Sequence, residues 1–553
     1  MDKYQVARML DEIARYIQLS ETNPFKSRAF ERAARRIETL DRDVTELVSS
    51  GELYSISGIG KGIGPVVTEI VNTGGSQYLE ELREQYPPGI FDLLRVPNLG
   101  LKKIGVIYER LGVTSIDELE KAAEDDLISG LPGFGKKTQQ KILEGIAFAR
   151  KRESQFLLPR GLEVGELLRE QLATIEEVED AEIAGSVRRR LEVIRNVNIV
   201  VSTRAPEAVI AELPRFVADV EPIDEITVKG IARGEMPVIF HFASPDDFGL
   251  ALMLATGSRE FVEAFATKLP KRVKARNEEQ LFEKAGVLFV EPERRESADD
   301  LKSKKRPQLV HPSDLRGTFH VHTTFSDGRN SVAEMLAAAR DRGFDYCGIT
   351  DHSVVAYYAN GLTVDRVKMQ QAEIAREAKS MKSLRVFKGT EADILPDGTM
   401  DYGDDLDLFD FVVASIHSRF QMTEEEMTDR ILRALDDPRV TILGHLTGRR
   451  LLTRDGYRVD YDRIFDKCAE RNVLVEINGN PQRLDVDWRH LRNAADRGCL
   501  FAINPDAHSI KEMSHVISGT WVARKAGLEP KLIFNTKPVD EVEEWLRKKP
   551  LSH

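Results

Sequence analysis

Thr318–Thr323 reads Thr-Phe-His-Val-His-Thr. On an extended backbone, residues two apart share a face, so His320 and His322 can grip one ion together. Asp327 follows in Ser-Asp-Gly, where the glycine permits a tight turn. Then come His352 in TDHS, Glu391 in GTEAD, His417 in ASIHS, His445 in GHLT, and Asp506 and His508 in NPDAH. Each of these polar motifs closes an apolar, strand-like run: HVHT, YCGIT, VFKGTEAD, FVVASIHS, TILGHLT, VLVEINGN and FAINPDAH. Amphipathic helical stretches separate the runs. Strand–helix alternation over about 240 residues predicts an α/β barrel of the (β/α)7 type, with its chemistry at the C-terminal strand ends.

The residue types narrow that chemistry. Imidazole and carboxylate without thiolate suit Mn²⁺, Zn²⁺ or Fe²⁺. Nine ligands exceed what one tetrahedral ion uses and point to two or three ions. A single His-x-His is weak, and His445 by itself reads as a structural histidine. Nine such residues in series, each at a strand end, are the pattern of a multinuclear metallohydrolase. Residues 1–240 contain no histidine at all.

At 553 residues the chain is too long for one core, and several domains are expected. Hydrophobic residues make up 41% and charged residues 31%, as in soluble globular proteins. No apolar run approaches the roughly 20 residues of a membrane span. The N-terminal MDKYQVARMLDEIARYI is an amphipathic helix of mixed charge, not a signal peptide. The three cysteines, Cys347, Cys468 and Cys499, lack Cys-x-x-Cys spacing, which indicates a reducing compartment, so a cytoplasmic, nucleoid-associated location is expected. A net charge of −12 alone argues against nucleic-acid binding. Its distribution matters more: basic clusters occur at Lys26–Arg36, Arg188–Arg190 and Lys302–Arg306, and metal-binding carboxylates count as negative in the sum.

Upstream, residues 1–150 show helical periodicity and a threefold repeat. ISGIGKGIGPVVTEIV begins at Ile56, VPNLGLKKIGVIYERL at Val96 and LPGFGKKTQQKILEGI at Leu131. Glycines at a helix start let backbone N–H groups approach a phosphate, and the helix dipole favours the anion. Gly58, Gly60, Gly62, Gly100, Gly133 and Gly135 supply the turns, and Lys61, Lys102, Lys103, Lys136 and Lys137 can neutralise neighbouring phosphates. Such contacts position DNA without reading its sequence. Three ordinary glycine turns are the competing reading, but three copies with adjacent lysines favour DNA. The motifs resemble the helix-hairpin-helix of DNA repair proteins.

Residues 151–295 change to an α/β mixture with strand candidates AEIAGS, NVNIVVS and PVIFHF. The segment AGSVRRRLEVIRNVNIVVS, from Ala184, is similar to the palm signature of family X DNA polymerases. Gly185, Ser186, Arg188, Arg189 and Glu192 match, and Thr256-Gly257-Ser258 is retained. Where the family has three aspartates, this chain has Asn196, Asn198 and Ile239. Two-metal phosphoryl transfer needs carboxylates to concentrate Mg²⁺ and offset its charge. With all three positions neutral, no useful polymerase activity and no palm Mg²⁺ are expected. Val66 stands at the family's Schiff-base lysine position, so the lyase activity is expected to be absent too.

The C-terminal segment resembles the PHP (polymerase and histidinol phosphatase) domain, with all nine metal positions filled. That resemblance implies a first metal on His320, His322, Glu391 and Asp506, a second on Glu391, His417 and His445, and a third on Asp327, His352 and His508. It also makes Arg419, Arg449 and Arg483 catalytic candidates, the last two as holders of phosphate oxygens; a surface salt bridge is their alternative reading. Leu446 replaces a usual proline, and Pro505 precedes Asp506.

Over the full chain the order resembles bacterial family X DNA polymerases with a PHP domain. The expected organisation is a helical region with the first hairpin at 1–80, a fingers-like helical region with two more at 81–150, a degenerate nucleotidyltransferase palm and thumb at 151–295, a linker at 296–315 and the PHP barrel at 316–553. The resemblance implies a DNA repair role and a 3′–5′ exonuclease using two or three divalent ions, Mn²⁺ foremost, with Zn²⁺ or Fe²⁺ as alternatives. The expected partner is gapped or nicked duplex DNA, bound without sequence preference by a monomer. The competing readings are a live gap-filling polymerase, a small-molecule phosphatase and a non-catalytic DNA scaffold.

Overall fold

The computed structural model describes residues 3–548 except 20–23, 39, 41, 57, 88, 98, 153 and 233. Ser57 and Asn98 of the glycine turns, and residues 549–553 of the predicted last domain, lie outside the described residues. The chain forms two compact units, residues 1–154 and 155–553.

The first unit is helical. Two long helices, Lys3–Leu19 and Pro24–Glu38, pack against shorter ones, and Val6, Leu10, Ile13, Phe30, Val67 and Ile104 lie in one core. Gly105 lets the helix Leu101–Leu111 press on the backbone of Leu19: a Cβ there would lie 2.0 Å from its carbonyl oxygen.

The second unit begins with a small antiparallel pair, β1 (Phe156–Leu157) and β3 (Val193–Ile194). A mixed five-stranded sheet has the order β2-β4-β7-β6-β5. Its members are β2 (Asp180–Ala184), β4 (Val197–Ser202), β5 (Ala218–Pro222), β6 (Thr227–Ala232) and β7 (Met236–Ala243). The AEIAGS run is therefore strand only as far as Ala184. Gly185, at φ +64°, turns the chain into the short helix Gly185–Arg188.

Seven parallel strands then follow in spatial order as in sequence: β8 (Gly317–Thr318), β9 (Tyr346–Ile349), β10 (Arg385–Asp393), β11 (Phe411–Ser415), β12 (Val440–Leu443), β13 (Leu474–Asn478) and β14 (Phe501–Asn504). Helices cover the outside, so the strands bury both faces and read as near-continuous apolar runs. The barrel is nearly closed between β14 and β8. Ala507 N–H donates to His320 O at 3.2 Å, and His322 N–H donates to Ala507 O at 2.9 Å.

One strand is shorter than the sequence suggests. The His-Val-His stretch lies beyond β8, because alternate N–H groups along Phe319–Thr323 go to side chains in place of a neighbouring strand, while His322 N–H goes to Ala507 O. Phe319 donates to Asn504 Oδ1, Val321 to Thr350 Oγ1 and Thr323 to Asp351 Oδ1. The backbone keeps the alternation that holds His320 and His322 together.

The barrel interior holds Phe319, Tyr346, Phe387, Phe411 and Phe534. Gly348 and Gly389 make room for Phe411: a Cβ on them would lie 2.4 and 2.3 Å from its ring. The C-terminal helix Val539–Lys548 packs Val542, Leu546 and Trp545 onto this cluster. The three cysteines are buried and form no disulfide, and burial pushes the Cys347 thiol up to about 12.

Candidate metal centre

Every strand of the barrel except β13 delivers one or more of the nine residues within or just past its C-terminal end. Glu391 sits near the end of β10, and the strand ends around it place histidines on several sides. Its Oε2 lies 3.4 Å from His320 Nε2, 3.5 Å from His322 Nε2 and 2.9 Å from His352 Nδ1. Its Oε1 lies 2.9 Å from His445 Nε2 and 3.3 Å from His417 Nε2. Asp506 Oδ1 is 3.5 Å from His322 Nε2 and 3.7 Å from His320 Nε2. Asp327 is within 3.6 Å of His352 Nε2 and 3.4 Å of His508 Nε2. All nine residues singled out in the sequence therefore converge on one spot.

The grouping differs in detail from the one the resemblance implies. Ligand atoms cluster as His320–His322–Glu391, as His322–Asp327–His352–His508, and as His352–Glu391–His417. His322 and His352 thus each sit between two clusters. Asp506 and His445 join through their contacts with His320, His322 and Glu391.

The donor set fits cations for a specific reason. His320 Nε2, both ring nitrogens of His322, His352 Nδ1, His417 Nε2 and His445 Nδ1 are buried without a hydrogen-bond partner. Leaving such atoms unsatisfied costs about 1–3 kcal/mol each, and native structures hold few of them. His352 Nδ1 lies 2.9 Å from a Glu391 oxygen yet makes no hydrogen bond with it. Two such atoms turned toward a shared point, not toward each other, have the arrangement that would suit a cation.

The electrostatics agree. Burial would raise the carboxyls of Glu391 and Asp506, but the surrounding histidines hold both well below the usual carboxylate range. Burial, with His508 and His352 adding to it, pushes His322 down to about 4, so it is neutral and able to coordinate. His417 goes the other way, up to about 10, because Glu391 and Asp393 outweigh burial.

A layer of supporting residues was not anticipated from the motifs. Glu476 Oε2 lies 2.7 Å from His320 Nδ1, and Asn504 and Asn478 both donate to Glu476. Asp393 holds His417 Nδ1. Such partners fix the ring tautomer that points the other nitrogen inward. Asp351 accepts from Thr323, Ser326 and Gln370, fixing the His-x-His segment. Glu476 and Asp393 stand two residues before Asn478 and two after Glu391; that spacing was the only available signal.

The three arginines separate. Arg449 is consumed by the chain: it donates to Arg483 O, to Leu484 O and to Asp487 Oδ2. It braces the loop at 483–487. Arg483 reaches the centre, with Nε 3.2 Å from Asp506 Oδ2. Arg419 is exposed on the loop after His417, in the left-handed region at φ +59°.

Comparison with known proteins agrees with this geometry. A helix-hairpin-helix domain profile matches residues 1–76, a SAM-like helix-hairpin-helix tandem residues 90–147, and a PHP domain residues 318–480. The DNA polymerase/3′-5′ exonuclease PolX of Bacillus subtilis is 34% identical over 99% of this chain and 100% of its own length. The chain belongs to the bacterial family X DNA polymerases that carry a PHP domain. A probable phosphatase of Clostridium acetobutylicum is 29% identical over 29% of this chain and 62% of its own length. One from Clostridium botulinum is 22% identical over 42% of this chain and 93% of its own length.

The family's palm positions are occupied very differently from the barrel. Asn198 on β4 pairs in register with Ile239 on β7. Asn198 Nδ2 donates to Asn196 Oδ1 at 2.8 Å, and Asn198 Oδ1 lies 3.0 Å from His241 Nε2. Burial lowers the His241 pKa, so a neutral ring donates to that oxygen. Arg188 forms a two-pronged pair with Glu278, which also holds the fully buried Arg295. Arg189 binds Glu296 and Thr256 O. Ser258 caps the helix Arg259–Ala266. The signature arginines are thus taken up by partners within the protein.

The palm is also fastened to the barrel. Arg489 lies 2.7 Å from Glu192, and buried Lys525 donates to Glu296, Glu293 O and Arg189 O. The basic residue Arg190 stacks over Trp521 at 4.7 Å. Glu296, at the head of the polar stretch read as a linker, is therefore part of a packed junction.

In the helical unit the three glycine turns lead into helices. Gly100 and Gly135 are the residues before Leu101–Leu111 and Lys136–Lys151. Gly58 (φ +92°) and Gly133 (φ +79°) use the left-handed region. The first copy differs, since its helix starts only at Gly64. Lys61, Lys102, Lys136 and Lys137 are exposed, and Lys103 is half-buried. No helix among the described residues is long and apolar enough to cross a membrane.

Proposed function

We propose that this protein is a metal-dependent 3′–5′ exonuclease acting through its PHP barrel, with a palm that no longer synthesises DNA. The observation that carries the reading is the set of buried, partnerless ring nitrogens converging on Glu391 and Asp506. No other group of ligand-type side chains among the described residues offers a phosphodiester such a centre. PolX of Bacillus subtilis, similar over its whole length, is named a 3′-5′ exonuclease as well as a polymerase.

Two or three divalent ions, Mn²⁺ foremost, would be held by His320, His322, Asp327, His352, Glu391, His417, His445, Asp506 and His508. Bound there, they supply an activated water near neutral pH and charge neutralisation for phosphoryl oxygens. The chain does the rest. Glu476 and Asp393 keep the His320 and His417 rings in the coordinating tautomer. Arg483, beside Asp506, and Arg419 supply fixed positive charge to the phosphodiester. Exposed lysines beside the glycine turns hold the duplex flanks by phosphate contacts, so binding is independent of sequence and sensitive to salt. The substrates that suit this arrangement are gapped or nicked duplexes with a 3′ end, met by a monomer.

The palm serves as a scaffold in this reading. Three neutral residues replace its carboxylates, and Arg188 and Arg189 are already paired with Glu278 and Glu296. The phosphatase names of the shorter relatives favour one second reading, a phosphomonoesterase.

The test is digestion of a 5′-labelled gapped duplex with Mn²⁺, with and without dNTPs, beside a His320→Ala/His322→Ala variant. Stepwise shortening lost in the variant, with no extension by dNTPs, is expected. Extension would show a live palm. Phosphate release from a monoester with DNA left intact would establish the phosphatase.

A further inference from the structure

The turn that follows the His352 motif exposes an apolar cluster at the rim of the metal centre. Val354 is 41% exposed, Val355 40%, Tyr357 86% and Tyr358 61%. Four large apolar side chains within five positions are unusual on a protein surface and mark a place where something binds. The segment is firmly fixed. Ser353 N–H donates to Glu391 O at 3.0 Å, and Leu362 N–H donates to His352 O at 2.8 Å. Val355 N–H donates to Asp401 Oδ2 at 3.0 Å, and Asn360 Nδ2 to Phe325 O at 3.0 Å. Gly361 packs so tightly that a Cβ would lie 1.9 Å from Ser353 O. Two of these anchors, His352 and Glu391, are themselves in the ligand set, so the exposed rings are fixed with respect to the metals.

The rings point to the identity of the occupant. The Tyr358 ring centre is 6.5 Å from that of His352 and 6.3 Å from that of His417. Tyr357 meets Tyr358 edge to face at 6.1 Å and faces outward. Rigid aromatic rings next to cationic groups are how proteins hold unpaired bases: the ring stacks on the base and the cation neutralises the phosphate. Arg483 stands beside the same centre through Asp506, and exposed Arg419 follows His417 by two residues.

We propose that Tyr357 and Tyr358, flanked by Val354 and Val355, form a stacking platform for the unpaired terminal base of a DNA strand whose phosphodiester enters the metal centre. The proposal rests on the exonuclease reading and adds a substrate feature to it: an end base that is already unstacked, of any identity. A paired 3′ end must fray before it reaches the platform, so single-stranded and mismatched ends are better substrates than paired ones.

The experiment uses the full chain and single-stranded oligonucleotides of about five nucleotides, close to the smallest single-strand site sizes. The 3′-terminal base is 2-aminopurine, whose fluorescence falls on stacking, and binding is followed without metal. Digestion is then followed with Mn²⁺. Tyr357→Ala and Tyr358→Ala are expected to abolish the quenching and raise KM about tenfold with kcat at saturation held within about twofold, the loss typical of one stacked base. Tyr357→Phe restores both values, since the ring and not the hydroxyl is needed. An abasic 3′ terminus costs the wild type the same factor and costs Tyr357→Ala nothing more. Quenching that survives both alanine variants, or a fall in kcat with KM unmoved, overturns the platform. If the wild type binds with quenching but shortens no DNA, the exonuclease reading fails while the platform stands.

Discussion

The barrel and the palm each present a cluster of polar residues at a sheet, and they differ in where those groups turn. In the barrel, His320, His322, His352, His417 and His445 leave ring nitrogens buried and partnerless. In the palm, Asn198 is shared between Asn196 and His241, and Arg188 is closed onto Glu278. Buried polar atoms are seldom left unsatisfied, because each costs as much as a lost hydrogen bond, and several of them gathered at one point are suited to a ligand. The same criterion separates the barrel's ring nitrogens from Asn196 and Asn198, whose side chains are bonded to one another and to His241. Residue type gives the same division, since nine histidines and carboxylates gather in one, while Asn196, Asn198 and Ile239 in the other carry no charge.

The largest effect belongs to the barrel. His322→Ala removes a side chain that lies between two ligand clusters. Loss of a correctly held metal forfeits several kcal/mol of transition-state stabilisation, so Mn²⁺-dependent shortening of DNA should fall by about 10³-fold or more. Metal analysis of the purified variant should show a lower ion content at unchanged secondary structure. Full activity in His322→Ala would remove the barrel from the chemistry. Next comes the palm, where an effect on stability and not on chemistry is expected. Glu278→Gln strands the buried Arg295 and Arg188 without their shared anion and should destabilise the second unit by about 3 kcal/mol. Trp488, Trp521 and Trp545, all in that unit, report its unfolding in denaturant. The pH dependence follows from sign. Burial would raise the Glu278 carboxyl, but Arg295 and Arg188 hold it below its ordinary 4.5. Its stabilisation is therefore present above that value and is lost as the pH falls further, so wild type and Glu278→Gln should converge in acid.

A smaller effect tests the layer behind the ligands, and it also shows where sequence reading stops. Asp393→Asn weakens the partner of His417 Nδ1 and should lower Mn²⁺ affinity by about 10- to 100-fold, measured by titration calorimetry. An unchanged affinity would make Asp393 a bystander. All nine converging residues, the barrel and the hairpins were legible, because period and motif spacing act over a few residues. Asp393 and Glu476 were not, since a carboxylate inside a buried strand has no meaning until its histidine neighbour is placed by a distant strand. Arg449 shows the reverse limit. Its motif suggested a phosphate contact, yet the loop Arg483–Asp487, far along the chain, takes up its Nε, Nη1 and Nη2. The His-x-His stretch was read as a strand, but the side chains of Asn504, Thr350 and Asp351, which replace its strand partners, lie 28 to 185 positions away and could not be paired with it from spacing.

The smallest predicted effect separates the two sites most cleanly. Asn198→Ala deletes the amide between Asn196 and His241, and two exchanged hydrogen bonds correspond to about 1 kcal/mol of stability or slightly more. A polymerase site using Asn198 as a ligand would lose nucleotide incorporation in this variant. A scaffold would lose only that stability, with DNA shortening by the barrel unaltered. Wild-type protein given a primed template, Mg²⁺ or Mn²⁺ and all four dNTPs should add no nucleotide, because an amide oxygen supplies a lone pair but none of the charge that holds Mg²⁺. Incorporation by the wild type that Asn198→Ala abolishes would mean that uncharged oxygens suffice in this palm. The contrast with the barrel would then lie in how the two sites bind metal, with both of them active.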